Sequence, residues 1–208
     1  MKRSYYILIT LSFFASIQRN LVAQESWDPE ILDKANTGQN IKYLKESEKE
    51  VIYYTNLARA DGKLFADSYL KLYLEKNNLT PDSFTQSLFK ELAQIKDLPM
   101  LVPDNELYEI ARGHATKSGK SGKQGHKGFK KRFKSTEKSF YTFGENCYYG
   151  KDNALLIVLS LLIDNGVEDL GHRKNMLDKN FSFVGVSIMP HKLFGYNCVM
   201  DFGSKQYQ

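Results

Sequence analysis

The sequence has little cysteine: two in 208 residues, with one tryptophan and five prolines. That count excludes a disulfide-dense miniprotein. The 14 glycines follow no three-residue repeat, which excludes a collagen-like chain, and no tract is compositionally simple. Long apolar runs are missing beyond the first residues. The best, residues 154–163, is ten long and contains Ser160, short of what a ~30 Å hydrocarbon core needs. Also absent are a His-Glu-x-x-His helix, a Gly-x-Ser-x-Gly elbow and a phosphate loop. What is present is an ordinary globular composition, 42% hydrophobic and 25% charged, with 13 Tyr and 13 Phe to build a core.

The chain opens with a basic Met1-Lys2-Arg3, an apolar stretch over 5–15, and Leu21-Val22-Ala23 before Gln24. This is the pattern of a secretory signal peptide cleaved after Ala23; the apolar stretch is too short for a membrane anchor. Residues 1–23 are therefore read as an address, and the remainder as secreted, extracellular or periplasmic. Export makes the two cysteines readable. Cys147 and Cys198 allow one intramolecular disulfide, which an oxidising compartment permits. The alternative is two buried thiols packing as small hydrophobes.

Charge is unevenly placed. Segment 112–138 holds ten Lys or Arg and one acid, Glu137, a local +9. The whole chain is +5, so everything outside the segment sums to −4. Such a segment is either a solvated loop or a patch for an anionic surface, lipid or polysaccharide. Few aromatics interleave with the lysines, which argues against nucleic acid.

Residues 24–46 read as an irregular polar arm. Ser47 with Glu50 resembles a capping box, predicting a helix with Val51, Tyr54 and Ala58 on one face. Further helices are expected over 65–76, 81–96 and from Asp104 onward. Lys117–Lys138 reads as loop, and residues 152–163 as a buried helix. Strands are expected at 143–149, 184–188 and 196–202, the last two joined as a hairpin. Helices before and among antiparallel strands imply an α+β fold.

Four histidines carry the chemical interest. His114 lies on the apolar face of its helix and reads as a packed core residue; His191 reads as exposed in the hairpin turn. His126 and His172 each follow a glycine in a loop, where functional side chains concentrate. Glu145 sits within a strand and Asp164 at a helix end. Two imidazoles and two carboxylates suit a divalent metal such as zinc, or acid–base work. Spacing alone equally describes a buried network that holds loops on the sheet.

The motifs Gly144-Glu145-Asn146, Leu162-Ile163-Asp164-Asn165-Gly166-Val167, Gly171-His172-Arg173-Lys174-Asn175-Met176-Leu177 and Phe183-Val184-Gly185-Val186 occur in this order. With Gly125-His126-Lys127-Gly128 and Tyr54–Arg59 upstream, they resemble the CAP superfamily of cysteine-rich secretory, antigen and pathogenesis-related proteins, in its bacterial SCP-like branch. The resemblance implies an α-β-α sandwich over 47–203, with a five-residue tail and an added helical segment at 60–100. It implies a cleft built from His126, Glu145, Asp164 and His172, with His126 and His172 the possible metal ligands. Asp164 stands where the family usually has Glu, and Leu161 where it often has Trp. The sterol-binding loop and the eukaryotic cysteine pattern are not recognisable, so sterol binding is not carried over. The family shares no single reaction. The expected function is a non-enzymatic cleft binding a ligand or divalent cation, with no catalytic residue assigned. The alternatives are a metal- or His-dependent secreted hydrolase (a protease or cell-wall enzyme), and an adhesion module that uses the basic segment.

Overall fold

The computed structural model describes residues 27–205; the leader read over 1–23 lies outside the described residues. Helices α1 (Pro29–Ala35), α2 (Glu46–Ala60), α3 (Gly62–Phe65), α4 (Lys71–Lys76) and α5 (Ser83–Leu92) precede strand β1 (Val102–Pro103). A π-helical turn, Ala66–Leu70, joins α3 to α4. Then follow α6 (Asn105–Ser121), α7 (Phe129–Phe133), a 3₁₀ turn (Lys134–Thr136), β2 (Thr142–Gly150), α8 (Ala154–Ile163), α9 (Gly171–Leu177), β3 (Phe183–His191) and β4 (Gly195–Ser204).

The four strands form one sheet in the order β1-β3-β4-β2. β1 runs parallel to β3; β3 with β4 and β4 with β2 are antiparallel. Alternation along the strands divides the residues between two layers. Val184, Val186 and Ile188 of β3 and Cys198, Met200 and Phe202 of β4 join α2 and α8 in the main core. The other face carries Cys147 and Val199 against Ala111 and Ala115 of α6. The result is the expected α+β fold, an α-β-α sandwich. α8 is apolar nearly all round because it lies between α2, α5 and β2.

α6 lies unusually close to the sheet because two contact points lack a side chain. A Cβ on Gly185 would collide with the Leu107–Tyr108 peptide, and one on Gly119 with the Pro190 carbonyl. On the opposite layer, the buried Arg59 guanidinium donates to the carbonyls of Pro99 (2.8 Å), Met176 (2.7 Å), Asp178 (3.0 Å) and Phe181 (2.8 Å). Burial lowers its pKa to about 10, yet one side chain ties α2 to α9 and to the entry of β3.

The structure corrects several expectations. Residues 27–46 are not an irregular arm: they carry α1, and Trp27 is buried, its indole N–H donating to Ser68 Oγ at 3.2 Å. α2 begins before the expected Ser47 cap. Buried Glu48 accepts from Lys45 N and Ile188 N, both at 2.8 Å, so the carboxylate closes the first turn and joins it to β3. The Lys117–Lys138 loop is partly helical: α6 continues to Ser121 and ends on left-handed Gly122.

The Cys147–Cys198 disulfide is also corrected. Register pairs Cys147 with Val199 and Cys198 with Tyr148. The cysteines are thus one residue out of step and lie on opposite faces of the sheet. Both are free and buried.

Two outcomes follow. Thiol titration of the chain unfolded without reductant should find two free thiols, with Tm unmoved by dithiothreitol; a reductant-sensitive Tm would contradict the register. Gly185→Ala should lower stability in urea by roughly 1–3 kcal/mol, the usual cost of overpacking.

Candidate functional site

Glu145 is the centre of one half of the site. It lies on β2, on the face toward α6, and is 5% exposed. Its carboxylate accepts from His126 Nδ1 at 2.8 Å and pairs with the Arg132 guanidinium, while His114 Nε2 lies 3.9 Å away. Burial alone would push the Glu145 carboxyl up. The hydrogen bonds from His126 and Arg132 outweigh it and hold the carboxyl below its ordinary value. An ionised carboxylate only accepts, so His126 must carry its proton on Nδ1.

Directly across the β2–β4 ladder from Glu145 stands Asp201, fully buried. Burial first, and the neighbouring Glu145 charge second, push its carboxyl well up. Asp201 therefore holds the proton of the pair. Among the described residues neither of its oxygens has a hydrogen-bond partner.

The second half is built at the end of α8. Asp164 terminates that helix in the left-handed region, φ 58°, and is 2% exposed. One oxygen accepts from His172 Nδ1 at 2.6 Å; the other accepts from the backbone N–H of His172 (2.9 Å) and Arg173 (3.2 Å). The carboxylate thus orients the imidazole and satisfies the first turn of α9 together. Asp suffices where a Glu was expected because the chain turns at Asp164 itself. Arg173 locks that turn, donating to the carbonyls of Leu162 (2.7 Å), Ile163 (2.9 Å) and Phe84 (2.9 Å).

An amide relay joins the halves. Asn146 donates to the His172 carbonyl at 2.9 Å and accepts from Asn175 at 2.9 Å. The His126 and His172 rings come to rest 6.4 Å apart between centroids, inclined by 35°. Both side chains reach solvent, at 47% and 22% exposure. In each, Nδ1 is committed to a carboxylate, which leaves Nε2 as the free ring nitrogen. His126, Glu145, Asp164 and His172 therefore converge as two imidazole–carboxylate pairs facing one another.

The other two histidines differ in their agreement with the sequence reading. His114 is buried as expected, but it also sits beside Glu145, and its Nε2 lies 2.9 Å from the Gly125 carbonyl. His191 is not exposed in the turn. It ends β3, is 4% exposed, and packs against Tyr149 and Phe194. Cys147 Sγ approaches His126 Nδ1 at 3.7 Å, but burial pushes its thiol far up, so it is an inert thiol rather than a nucleophile.

Sequence reasoning missed Arg132, Asp201, Asn146 and Asn175. Arg132 is one cation in a run of them, and nothing in the run marks it. Asp201 had a usable signal: register places it opposite Glu145 once both strands are drawn.

The model of the cysteine-rich secretory protein family, CAP, matches residues 52–202, so the chain belongs to that family. Among solved structures it resembles an extracellular protein containing an SCP domain from Bacillus anthracis, with 16% identity and TM-score 0.47, over 86% of this chain and 44% of that one. It also resembles an outer surface protein of Borrelia burgdorferi, with 16% identity and TM-score 0.45, over 68% and 96%. A third is a cysteine-rich secretory protein of Staphylococcus aureus, with 18% identity and TM-score 0.44, over 59% and 38%. The chain thus spans less than half of two of these proteins. No curated protein matches it.

The carboxyl pair generates a pH prediction. The unfolded Asp201 titrates near ~3.9, and the folded one far higher. Above that lower value the folded state binds the extra proton, so this residue subtracts stability as pH rises. Asp201→Asn has no such proton to hold. Its Tm should exceed that of the parent chain by about 3 °C or more at pH 8, at ~2–4 °C per kcal/mol for this size, and the gap should shrink toward pH 4. A gap that widens toward acid would refute the assignment of the proton.

Proposed function

We propose that the chain is a secreted CAP-domain protein whose His126/His172 cleft binds a ligand or a divalent cation and catalyses no reaction. The observation that carries this reading is the paired clamp: each imidazole holds a carboxylate through Nδ1, at 2.8 and 2.6 Å, and keeps Nε2 free. That is the arrangement in which a carboxylate behind a histidine fixes its tautomer for metal binding. The donor set fits zinc, which takes neutral imidazole nitrogen and completes its shell with water or ligand atoms. His126 and His172 would hold it, with Glu145 and Asp164 orienting them. A bound cation would supply a Lewis-acidic position for a ligand oxygen. Cys147, the thiol beside His126, is kept protonated by burial and offers no nucleophile to a bound ligand.

Secretion rests on the leader at 1–23. Among the described residues no helix is long and apolar enough to cross a membrane.

Calorimetric titration with Zn²⁺ tests the cation form. One site per chain is expected. His126→Ala and His172→Ala should each abolish or greatly weaken uptake, and Glu145→Gln should weaken it about 10–100-fold, as loss of an orienting partner does. Undiminished uptake by the double His variant would refute the site.

A further inference from the structure

The basic segment does not lie flat on the surface. The C-terminal half of α6, the 122–128 loop and α7 enclose a cavity of about 610 Å³. Five cationic side chains line it: Lys117, Lys123, Lys127, Lys131 and Arg132. No carboxylate contributes to the lining. Among the described residues none of the four lysines is engaged in an ion pair. Four exposed lysines without an ion-pair partner line one depression, and an anion bound there would meet their shared positive charge. At the floor, Arg132 has its outer nitrogens engaged by Glu145 and the Lys127 carbonyl, but its buried Nε has no acceptor.

The rest of the lining narrows the ligand class. Gln124 supplies an amide group and the lysine stems supply apolar faces, while the Ser118 and Ser121 hydroxyls are engaged within the protein. Apart from His114 no aromatic ring lines the cavity, so there is no platform on which nucleic-acid bases could stack. The volume lies within the ~300–1,000 Å³ of small-molecule sites. We propose that this cavity is a binding site for a compact saccharide, one or two rings in size, carrying two or more sulfate or phosphate esters. It is distinct from the His126/His172 cleft, with Arg132 and His114 lining the cavity and also lying beside the Glu145 carboxylate. The exposed lysines of the basic segment then serve one binding site.

The test uses the full chain and two probes, a trisulfated disaccharide and fructose 1,6-bisphosphate, by calorimetry at low and at physiological salt. One-to-one binding that weakens with salt is expected for at least one of them, and which one binds separates the sulfated source from the phosphorylated one. Lys117→Glu combined with Lys131→Glu should weaken binding by about 30-fold or more, while the arginine pair K117R/K131R retains it. Lys71→Glu with Lys76→Glu makes the same change in net charge away from the cavity and should leave the affinity within about twofold. Zn²⁺ uptake should persist in K117E/K131E, which shows that the fold and the histidine cleft are intact and separates failure here from failure there. The proposal is overturned if neither probe binds, if K71E/K76E loses as much as K117E/K131E, or if only duplex DNA or anionic vesicles bind.

Discussion

A carboxylate buried against the face of a sheet is costly unless its charge is met, and the arrangement of this protein around Glu145, on the edge strand β2, follows from that cost. Two cationic or protic groups are brought to it from outside the sheet, His126 from a loop and Arg132 from α7. Its neighbour Asp201 surrenders its charge and keeps a proton. The 122–136 region is held by this contact together with a satellite apolar cluster in which Phe129 and Phe133 pack beside the sheet. Withdrawing the carboxylate would remove the shared partner of His126 and Arg132.

The opposite wall obeys the same logic with backbone in place of a second side chain. Asp164 meets its charge with two peptide N–H groups and one imidazole. The buried Arg173 satisfies the carbonyls freed where α8 ends. Both halves thus present an imidazole whose far nitrogen is free, and Asn146 with Asn175 sets their separation through hydrogen bonds alone. The cleft is preorganised by polar contacts resting on an apolar core whose main part lies on the α2–α8 side, with smaller clusters under α6 and α7.

Much of this was legible before the structure. The strand alternation of Val184, Val186 and Ile188 placed β3, and the resemblance of the ordered motifs to the CAP family, rather than their spacing, singled out His126, Glu145, Asp164 and His172. What was not legible depends on the third dimension. Arg132 has the same local sequence surroundings as the lysines beside it, and only the path of α7 brings it to Glu145. The disulfide failed because pairing requires both strands in register, and an offset of one residue sends Cys147 and Cys198 to opposite faces. The Ser47 cap failed because a buried contact, Glu48 to β3, outweighed a local preference.

The account turns on the tautomers of His126 and His172, which nitrogen-15 NMR of the imidazole rings at pH 8 reads directly. Both rings should be protonated at Nδ1 with Nε2 bare, and Glu145→Gln should disturb the His126 signals while leaving those of His172 in place. Rings protonated predominantly at Nε2, or a His126 ring indifferent to the loss of the Glu145 charge, would contradict it.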